Sequence, residues 1–115
     1  MTTAAIFVDT LFFYPAALTT AGTTSTCIVS DQDNAGSTSV GFQVTVATIG
    51  TNVVVRFEGS LDGTNFFNLS TGDTTLTANG TTGYSFGNFP LKAVRGRLVS
   101  ISTGSPTVTF VISAK

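Results

Sequence analysis

The side chains that most often perform chemistry in proteins are scarce in this sequence of 115 residues, which contains no histidine and one cysteine, Cys27. Without histidine there is no imidazole to act as a general base or to bind a metal. One cysteine allows neither an intrachain disulfide nor a zinc site built from several thiolates. Neither Lys92 nor Lys115 lies in a nucleophile motif. We therefore predict no catalytic residue, no cofactor and no enzymatic activity.

Residues 31–36 (DQDNAG) are similar to the start of a calcium-binding loop. An EF-hand loop needs oxygen ligands at its first, third and fifth positions and a glutamate at the twelfth. Asp31 and Asp33 supply the first two, but the fifth position is Ala35 and the twelfth is Phe42. The EF-hand pattern therefore fails. We predict a solvated turn and no metal ligand, with an irregular calcium site as the alternative.

The composition favours β-structure and excludes several classes of partner. Only 10% of the residues are charged and the net charge is -1, while 22 Thr, 11 Ser and 12 Gly supply neutral polar surface and turns. Five Lys and Arg residues give no broad basic surface for nucleic acid. The aromatic residues are 10 Phe and 2 Tyr with no Trp, which favours core packing over a sugar-binding platform.

Alternation of apolar and polar side chains with a period of two, between turn signals, predicts short strands throughout the chain. The clearest example is residues 40–47 (VGFQVTVA). No helix longer than one turn is predicted, and the single candidate turn is at residues 15–18. The sequence thus predicts an all-β, single antiparallel β-sandwich, jelly-roll or Greek-key like. About eight strands are expected, near residues 6–13, 24–30, 39–48, 52–59, 65–69, 74–77, 81–87 with 91–102, and 106–113.

We predict one domain over residues 1–115, with residues 1–20 as an N-terminal arm or edge strand. Residues 6–14 (IFVDTLFFY) carry seven apolar side chains in nine positions. They suit a buried strand or an arm that packs on a neighbouring subunit, and a membrane-active patch lacks the basic residues that would support it. The candidate contact residues in this segment are Ile6, Phe7, Val8, Leu11, Phe12, Phe13 and Tyr14. Because Asp9 interrupts the apolar run and no basic residue precedes Arg56, we expect a cytoplasmic product without a secretory signal.

Arg95 and Arg97 share one face of a predicted strand, with Gly96 between them. The simpler interpretation is that they pair with Glu58 or Asp62 across the sheet. The alternative is that they contact an acidic surface of a protein partner. They are therefore secondary candidates for protein contact.

Three stretches of the sequence carry recognisable motifs. Residues 55–69 (VRFEGSLDGTNFFNL) match a hairpin pattern E-G-S-x-D-G-x-N-[WF]-F-x-L, and residues 89–98 (FPLKAVRGRL) match a P-L-K-x-[VI]-R strand. With residues 104–109 (GSPTVT), they resemble small β-sandwich structural proteins of tailed bacteriophages, and the similarity covers roughly residues 40–113. In the hairpin we expect a tight turn at residues 62–63, with Phe66, Phe67 and Leu69 returning to the core.

The resemblance implies a virion component, and we favour a capsid decoration (cement) protein on the outer capsid surface of a bacteriophage. It implies a homo-oligomer, with a trimer favoured, that binds the major capsid protein or another virion protein and no nucleic acid or membrane. The chain would be synthesised in the host cytoplasm. The alternatives are a phage tail, adaptor or fibre-base structural protein and, in another class, a carbohydrate-binding adhesion module.

Overall fold

The computed structural model describes residues 12–28, 38–89 and 91–114 of the chain. Within these ranges every regular element is a β-strand, and no helix is present that is long and apolar enough to cross a membrane. The strands are β1 Phe12–Leu18, β2 Gly22–Thr23, β3 Cys27–Ile28, β4 Thr38–Ala47, β5 Val53–Ser60, β6 Phe67–Asn68, β7 Thr74–Leu76, β8 Gly80–Phe89, β9 Ala93–Ile101 and β10 Thr107–Ala114.

The strands form two antiparallel sheets. The first sheet has the order β1-β10-β4-β8, so that β1 and β8 are its edges. In the second sheet β9 and β5 are central. The short strands β2 and β3 follow each other along the outer edge of β9, and β6 and β7 do the same along β5. When each interrupted edge is counted as one strand, the sandwich has four strands in each sheet.

Pairing joins strands that are far apart in sequence in a nested order. The first strand, β1, pairs with the last, β10, and the β2–β3 edge pairs with β9. Inside these pairs, β4 pairs with β8, and β5 pairs with the adjacent β6–β7 edge. This nesting is the jelly-roll arrangement of a β-sandwich. The predicted jelly-roll or Greek-key sandwich of about eight strands is confirmed.

The N-terminal part of the sandwich differs from the expectation at residues 15–18. A single helical turn was the predicted alternative there, but the structure continues β1 through these residues, with Pro15 opposite Val111. An edge strand tolerates proline because one side of the strand has no neighbouring strand, so an N–H on that side has no partner to donate to. Of the strand expected at residues 6–13, only its last two positions lie in the described part of the chain.

A second difference concerns residues 81–87 and 91–102, which the sequence pattern joined into one strand. They form β8 and β9, which belong to different sheets. The chain crosses between the sheets near Leu91, whose side chain is fully buried, and the Lys92 amide donates a 2.9 Å hydrogen bond to the Ser60 carbonyl. A period-two pattern shows which side chains share a face, but it does not show where a chain changes sheet.

The inward side chains of both sheets form one continuous core. Phe57 lies near its centre, with its ring centroid 4.9 Å from that of Phe42 and 4.7 Å from that of Tyr84. Burying each such apolar side chain contributes about 1.5–3 kcal/mol relative to exposure. The buried core consists of Val40, Phe42, Val44, Val46, Val53, Val55, Phe57, Leu91, Val94, Leu98, Val108, Phe110 and Ile112.

The two sheets are in close contact at Gly96 of β9. A Cβ atom added there would lie 2.5 Å from a ring carbon of Phe110, a fully buried residue of the opposite sheet. The absence of a side chain therefore lets the Phe110 ring pack directly on the backbone of β9. On its outer edge, the Gly96 amide donates to Oγ1 of buried Thr24 at 3.1 Å, and the Thr24 amide donates to the Gly96 carbonyl at 2.9 Å.

We expect Gly96→Ala to lower the free energy of unfolding by about 1–3 kcal/mol, because the added methyl group overpacks the core against Phe110. The matched control is Gly83→Ala on β8, where an added Cβ meets nothing within 4 Å. Urea denaturation of both variants measures the difference. Equal stabilities of the two variants would contradict the close packing at Gly96.

Candidate functional site

The outer face of the second sheet carries three arginines and two carboxylates that contact one another. β5 contributes Arg56 and Glu58, β9 contributes Arg95 and Arg97, and the residue before β7 contributes Asp73. The register places Arg56 opposite Arg97 and Glu58 opposite Arg95. Strand alternation turns all four outward because the residues between them fill the core. We call these five residues the arginine cluster.

Glu58 is the centre of the arginine cluster. Its side chain is only 5% exposed, and each carboxylate oxygen accepts a hydrogen bond from a different arginine. Arg95 Nε donates to Oε1 at 2.6 Å, and Arg97 Nε donates to Oε2 at 2.8 Å. Burial opposes ionisation of the carboxyl, but the hydrogen bonds from Arg97 and Arg95 outweigh it and hold the pKa of Glu58 below its usual value. The carboxylate is therefore charged and fixes the positions of both guanidinium groups.

This geometry decides between the two pairing partners expected for Arg95 and Arg97. The predicted pairing with Glu58 is confirmed. Asp62 instead organises the loop between β5 and β6, where its Oδ1 accepts hydrogen bonds from the amides of Thr64 and Asn65, both at 2.8 Å. These bonds hold the pKa of Asp62 well below its usual range.

The Asp62 loop is also longer than expected. The predicted tight turn at residues 62–63 lies within the longer connection 61–66 between β5 and β6. Gly63 has a φ of 84° there, a left-handed conformation that glycine adopts without steric cost. Oγ of Ser60 accepts hydrogen bonds from the amides of Gly63 at 2.8 Å and Asp62 at 3.3 Å. The hairpin is thus held by side-chain bonds within the loop.

Asp73 binds the β6–β7 segment to the arginine cluster. Arg56 donates from Nε to Oδ1 at 2.7 Å and from Nη2 to Oδ2 at 3.1 Å, which is a two-point contact. Asn68 Nδ2 donates to the same Oδ1 at 3.3 Å. The hydrogen bond from Arg56 is the largest effect that lowers the pKa of Asp73. The sequence analysis did not predict this ion pair, because it depends on how β7 folds back on β5.

The expectation that Phe66, Phe67 and Leu69 all return to the core is wrong for two of them. Leu69 packs against the core. Phe66 lies on the outer face, where the Arg95 guanidinium carbon is 3.9 Å from its ring centroid, a cation–π contact. Phe67 is 43% exposed.

The arginine cluster has unused hydrogen-bonding capacity. Three guanidinium groups face two carboxylates, so the five side chains carry a net charge of +1. Within the described part of the chain, the Nη atoms of Arg95 and Arg97 have no hydrogen-bond partner, and the two side chains are 23% and 33% exposed. Such groups can bind a carboxylate of a protein partner at two points. The cluster contains no nucleophile and no group arranged for proton transfer.

Exposed apolar side chains accompany the arginine cluster on the β5–β6 hairpin. Leu61 is 60% exposed and Phe67 is 43% exposed, and the same hairpin carries Phe66. Aromatic residues and arginine are enriched at protein–protein interfaces, where apolar contact and two-point hydrogen bonding occur together. This part of the surface can therefore take part in protein contact.

The candidate contact residues of the N-terminal segment lie mainly outside the described residues. Ile6, Phe7, Val8 and Leu11 are among residues 1–11, which the structure does not describe. The backbone of Phe12, Phe13 and Tyr14 begins β1, opposite residues 112–114 of β10. β1 is an edge strand of the first sheet, so this segment and the arginine cluster are on different sheets.

The remaining polar candidates give no ligand site in the described residues. Asp31 and Asp33 lie outside them, and the backbone of Cys27 forms part of β3. Among the described residues no group of three or more Asp, Glu, Cys or His side chains is placed to hold a metal ion.

The fold is shared with a protein from a prophage. The crystal structure of the SPBc2 prophage-derived protein YomS superposes with a TM-score of 0.56 at 11% sequence identity, over 96% of this chain and 99% of that chain. A pilus protein from Bacillus endospore appendages, described as disulfide-linked, gives a TM-score of 0.45 at 10% identity, over 99% of this chain and 94% of that chain. No family model matches the sequence, and no curated protein matches it.

We expect the stability of the protein to depend on the charge of Glu58. Because the folded state lowers the pKa of Glu58, Asp62 and Asp73, their stabilising effect is complete above the unfolded pKa of about 4 and is lost as pH falls through the folded pKa. The free energy of unfolding should thus be flat near pH 7 and fall below about pH 4.5.

Glu58→Gln should lower the free energy of unfolding at pH 7 by about 2–3 kcal/mol, because it leaves two partly buried guanidinium groups without a counter-charge. It should also flatten the acid dependence, which urea denaturation at several pH values measures. Asp73→Asn, at an exposed ion pair, is the control and should have a smaller effect. A Glu58→Gln variant as stable as the wild type would refute this account of the cluster.

Proposed function

We propose that this chain is a non-enzymatic structural protein of a bacteriophage particle, and specifically a capsid decoration (cement) protein. It binds the outer surface of the assembled shell as a homo-oligomer and stabilises the shell. Its partner is the major capsid protein or another virion protein, and neither nucleic acid nor a membrane takes part.

The observation that carries this proposal is the jelly-roll sandwich, which matches a prophage-derived protein over nearly the full length of both chains. Jelly rolls are frequent in viral structural proteins, although a fold alone does not define a role. The phage-type hairpin at residues 55–69 adds an independent sequence argument. It forms the β5–β6 connection, and this connection carries both Phe66 and the exposed Leu61.

The contact chemistry of the proposal comes from the arginine cluster. Glu58 fixes Arg95 and Arg97 through their Nε atoms, and the Nη atoms of both have no hydrogen-bond partner among the described residues. A carboxylate on the shell can then bind guanidinium groups whose positions are already set, at a smaller loss of side-chain entropy. The residues of the N-terminal segment, Ile6 to Tyr14, would supply a second, apolar contact.

The proposed stabilisation works by mass action. A protein that binds the assembled lattice and not the free shell subunits shifts the equilibrium toward the lattice. Each contact can be weak, because an oligomer that holds several shell subunits at once gains from a high effective concentration. The rigid sandwich suits this role, since little conformational freedom is lost when it binds.

Purified particles that contain this chain test the proposal directly. Quantitative peptide mass spectrometry should find hundreds of copies in a simple ratio to the shell protein, because a decoration protein occupies every equivalent lattice site. A handful of copies would assign it to the tail, an adaptor or a fibre base instead. Complete absence from particles would refute a virion role.

Binding to shells stripped of this protein tests the contact surface. Arg97→Gln should weaken binding at least about tenfold, because it removes a positioned two-point donor. Lys92→Gln is the matched control, since it removes the same charge from an exposed residue outside the cluster. A sedimentation assay measures both affinities, and circular dichroism verifies folding. Equal weakening by the two variants would show that only net charge matters and would contradict a specific contact.

The N-terminal segment is tested in the same assay by deleting residues 1–11. This deletion leaves every described strand in place, because β1 begins at Phe12. A folded protein that no longer binds shells supports the arm. Unchanged binding would exclude residues 1–11 from the contact.

A further inference from the structure

The two sheets differ in how their edges are protected against pairing with another chain. A β-strand at a sheet edge presents backbone N–H and C=O groups without partners, and natural proteins shield such edges with short strands, proline or charge. β8 forms one edge of the first sheet and pairs only with β4 among the described strands. It spans ten residues, is regularly paired from Gly80 to Phe86, and has a bulge before Phe89, where its register against β4 shifts. Every second residue of β8 turns its N–H and C=O away from β4.

The other described edges are protected. β1 contains Pro15, which has no N–H to donate. The edge along β9 is broken into β2 and β3, each of two residues, and buried Thr24 bonds to Gly96 between them. The edge along β5 consists of β6 with two residues and β7 with three. β8, with seven regularly paired residues from Gly80 to Phe86, is therefore the longest regular edge without proline in the described part of the chain.

β8 also lacks the charges that usually prevent edge pairing. Its sequence, GTTGYSFGNF, contains no charged residue. The other three strands of the first sheet, β1, β4 and β10, contain none either. All charged side chains that the structure describes belong to β5, β9 or the loops beside them, including the arginine cluster. No charged side chain in these four described strands therefore repels an identical sheet at the β8 edge.

We propose that β8 is a pairing surface for a second copy of this chain, through antiparallel addition of β8 to β8 across a two-fold axis. The occupant follows from the edges themselves: among the described strands, β8 of a second copy is the edge that matches β8 in length and regularity from Gly80 to Phe86. Two-fold pairing joins two four-stranded sheets into one of eight strands, and each copy donates and accepts the same set of backbone bonds. The β8 edge and the arginine cluster belong to different sheets. The proposed pairing does not rest on a role of this protein in a virion.

The side chains of β8 are compatible with such pairing. Thr81, Thr82 and Ser85 are exposed, and Thr81 Oγ1 already bonds to Thr45 Oγ1 across the β4–β8 pair at 2.9 Å. Threonine and serine stabilise neighbouring strands through side-chain hydrogen bonds and fit a pleated surface. The interface would thus combine backbone bonds with small neutral side chains.

The test is the molecular mass of the purified full-length chain by light scattering, over a series from about 1 µM to about 1 mM. We expect an even number of chains, with dissociation on dilution. Thr82→Lys places a charge on the face of β8 that Tyr84 and Phe86 share, and Ser85→Lys places one on the opposite face of the same strand. Each should raise the dissociation constant of the pair at least about tenfold, because a lysine on a neutral sheet edge opposes the approach of a second strand.

Thr75→Lys is the matched control, since Thr75 is an exposed threonine of β7, an edge of only three residues. It should leave the dissociation constant unchanged, and circular dichroism shows that all variants are folded. A wild-type chain that stays monomeric up to about 1 mM would overturn the proposal. So would a mass of three chains that neither β8 lysine alters, which would instead agree with the trimer that the sequence resemblance implies.

Discussion

The packing of β9 against the opposite sheet is the constraint on which the rest of the structure depends. At Gly96 the backbone of β9 touches the Phe110 ring, so a side chain has no room at this one position of the inner face. The residues on either side, Arg95 and Arg97, point outward and meet at Glu58. One three-residue segment therefore combines a close contact between the sheets with the positions of two arginines at the surface.

Charge is divided between the two sheets in the described part of the chain. The second sheet and its loops carry the ions, with buried Glu58 at their centre, whereas the first sheet has none in its four strands. The charged residues that the structure describes are thus concentrated where they order each other. The cost of burying a carboxylate is met locally by two guanidinium groups, which remain partly hydrated. The rest of the surface can then approach other proteins with little desolvation of charge.

The sequence predicted the parts of this fold that follow from local alternation. Strands near residues 39–48, 52–59 and 106–113 were placed within about two residues of their bounds, and the sandwich follows from burying their apolar faces. The pairing of Arg95 with Glu58 was expected as one of two possibilities, and the register of β5 against β9 decided it. These features depend on the period of two and on strands that are long enough to show it.

What escaped prediction depends on contacts between distant segments. Phe66 and Phe67 are equally apolar, and only the position of Arg95, on another strand, makes the outer face favourable for the Phe66 ring. Asp73 joins the arginine cluster because β7 returns along β5. The break between β8 and β9 requires knowledge of which sheet each strand joins, and a sequence pattern within one strand does not contain it.

The division of charge also gives the two proposed contact surfaces different physical properties. Contacts made by Arg95 and Arg97 are between ions at the surface, and dissolved salt screens them over about 8–10 Å at physiological ionic strength. Pairing along β8 uses neutral backbone groups, which salt screens far less. A molecule with both surfaces can keep its self-association while its binding to an acidic partner varies with ionic strength. Assembly with itself and attachment to a partner are then separable events, because they use opposite sheets of one sandwich and different kinds of interaction.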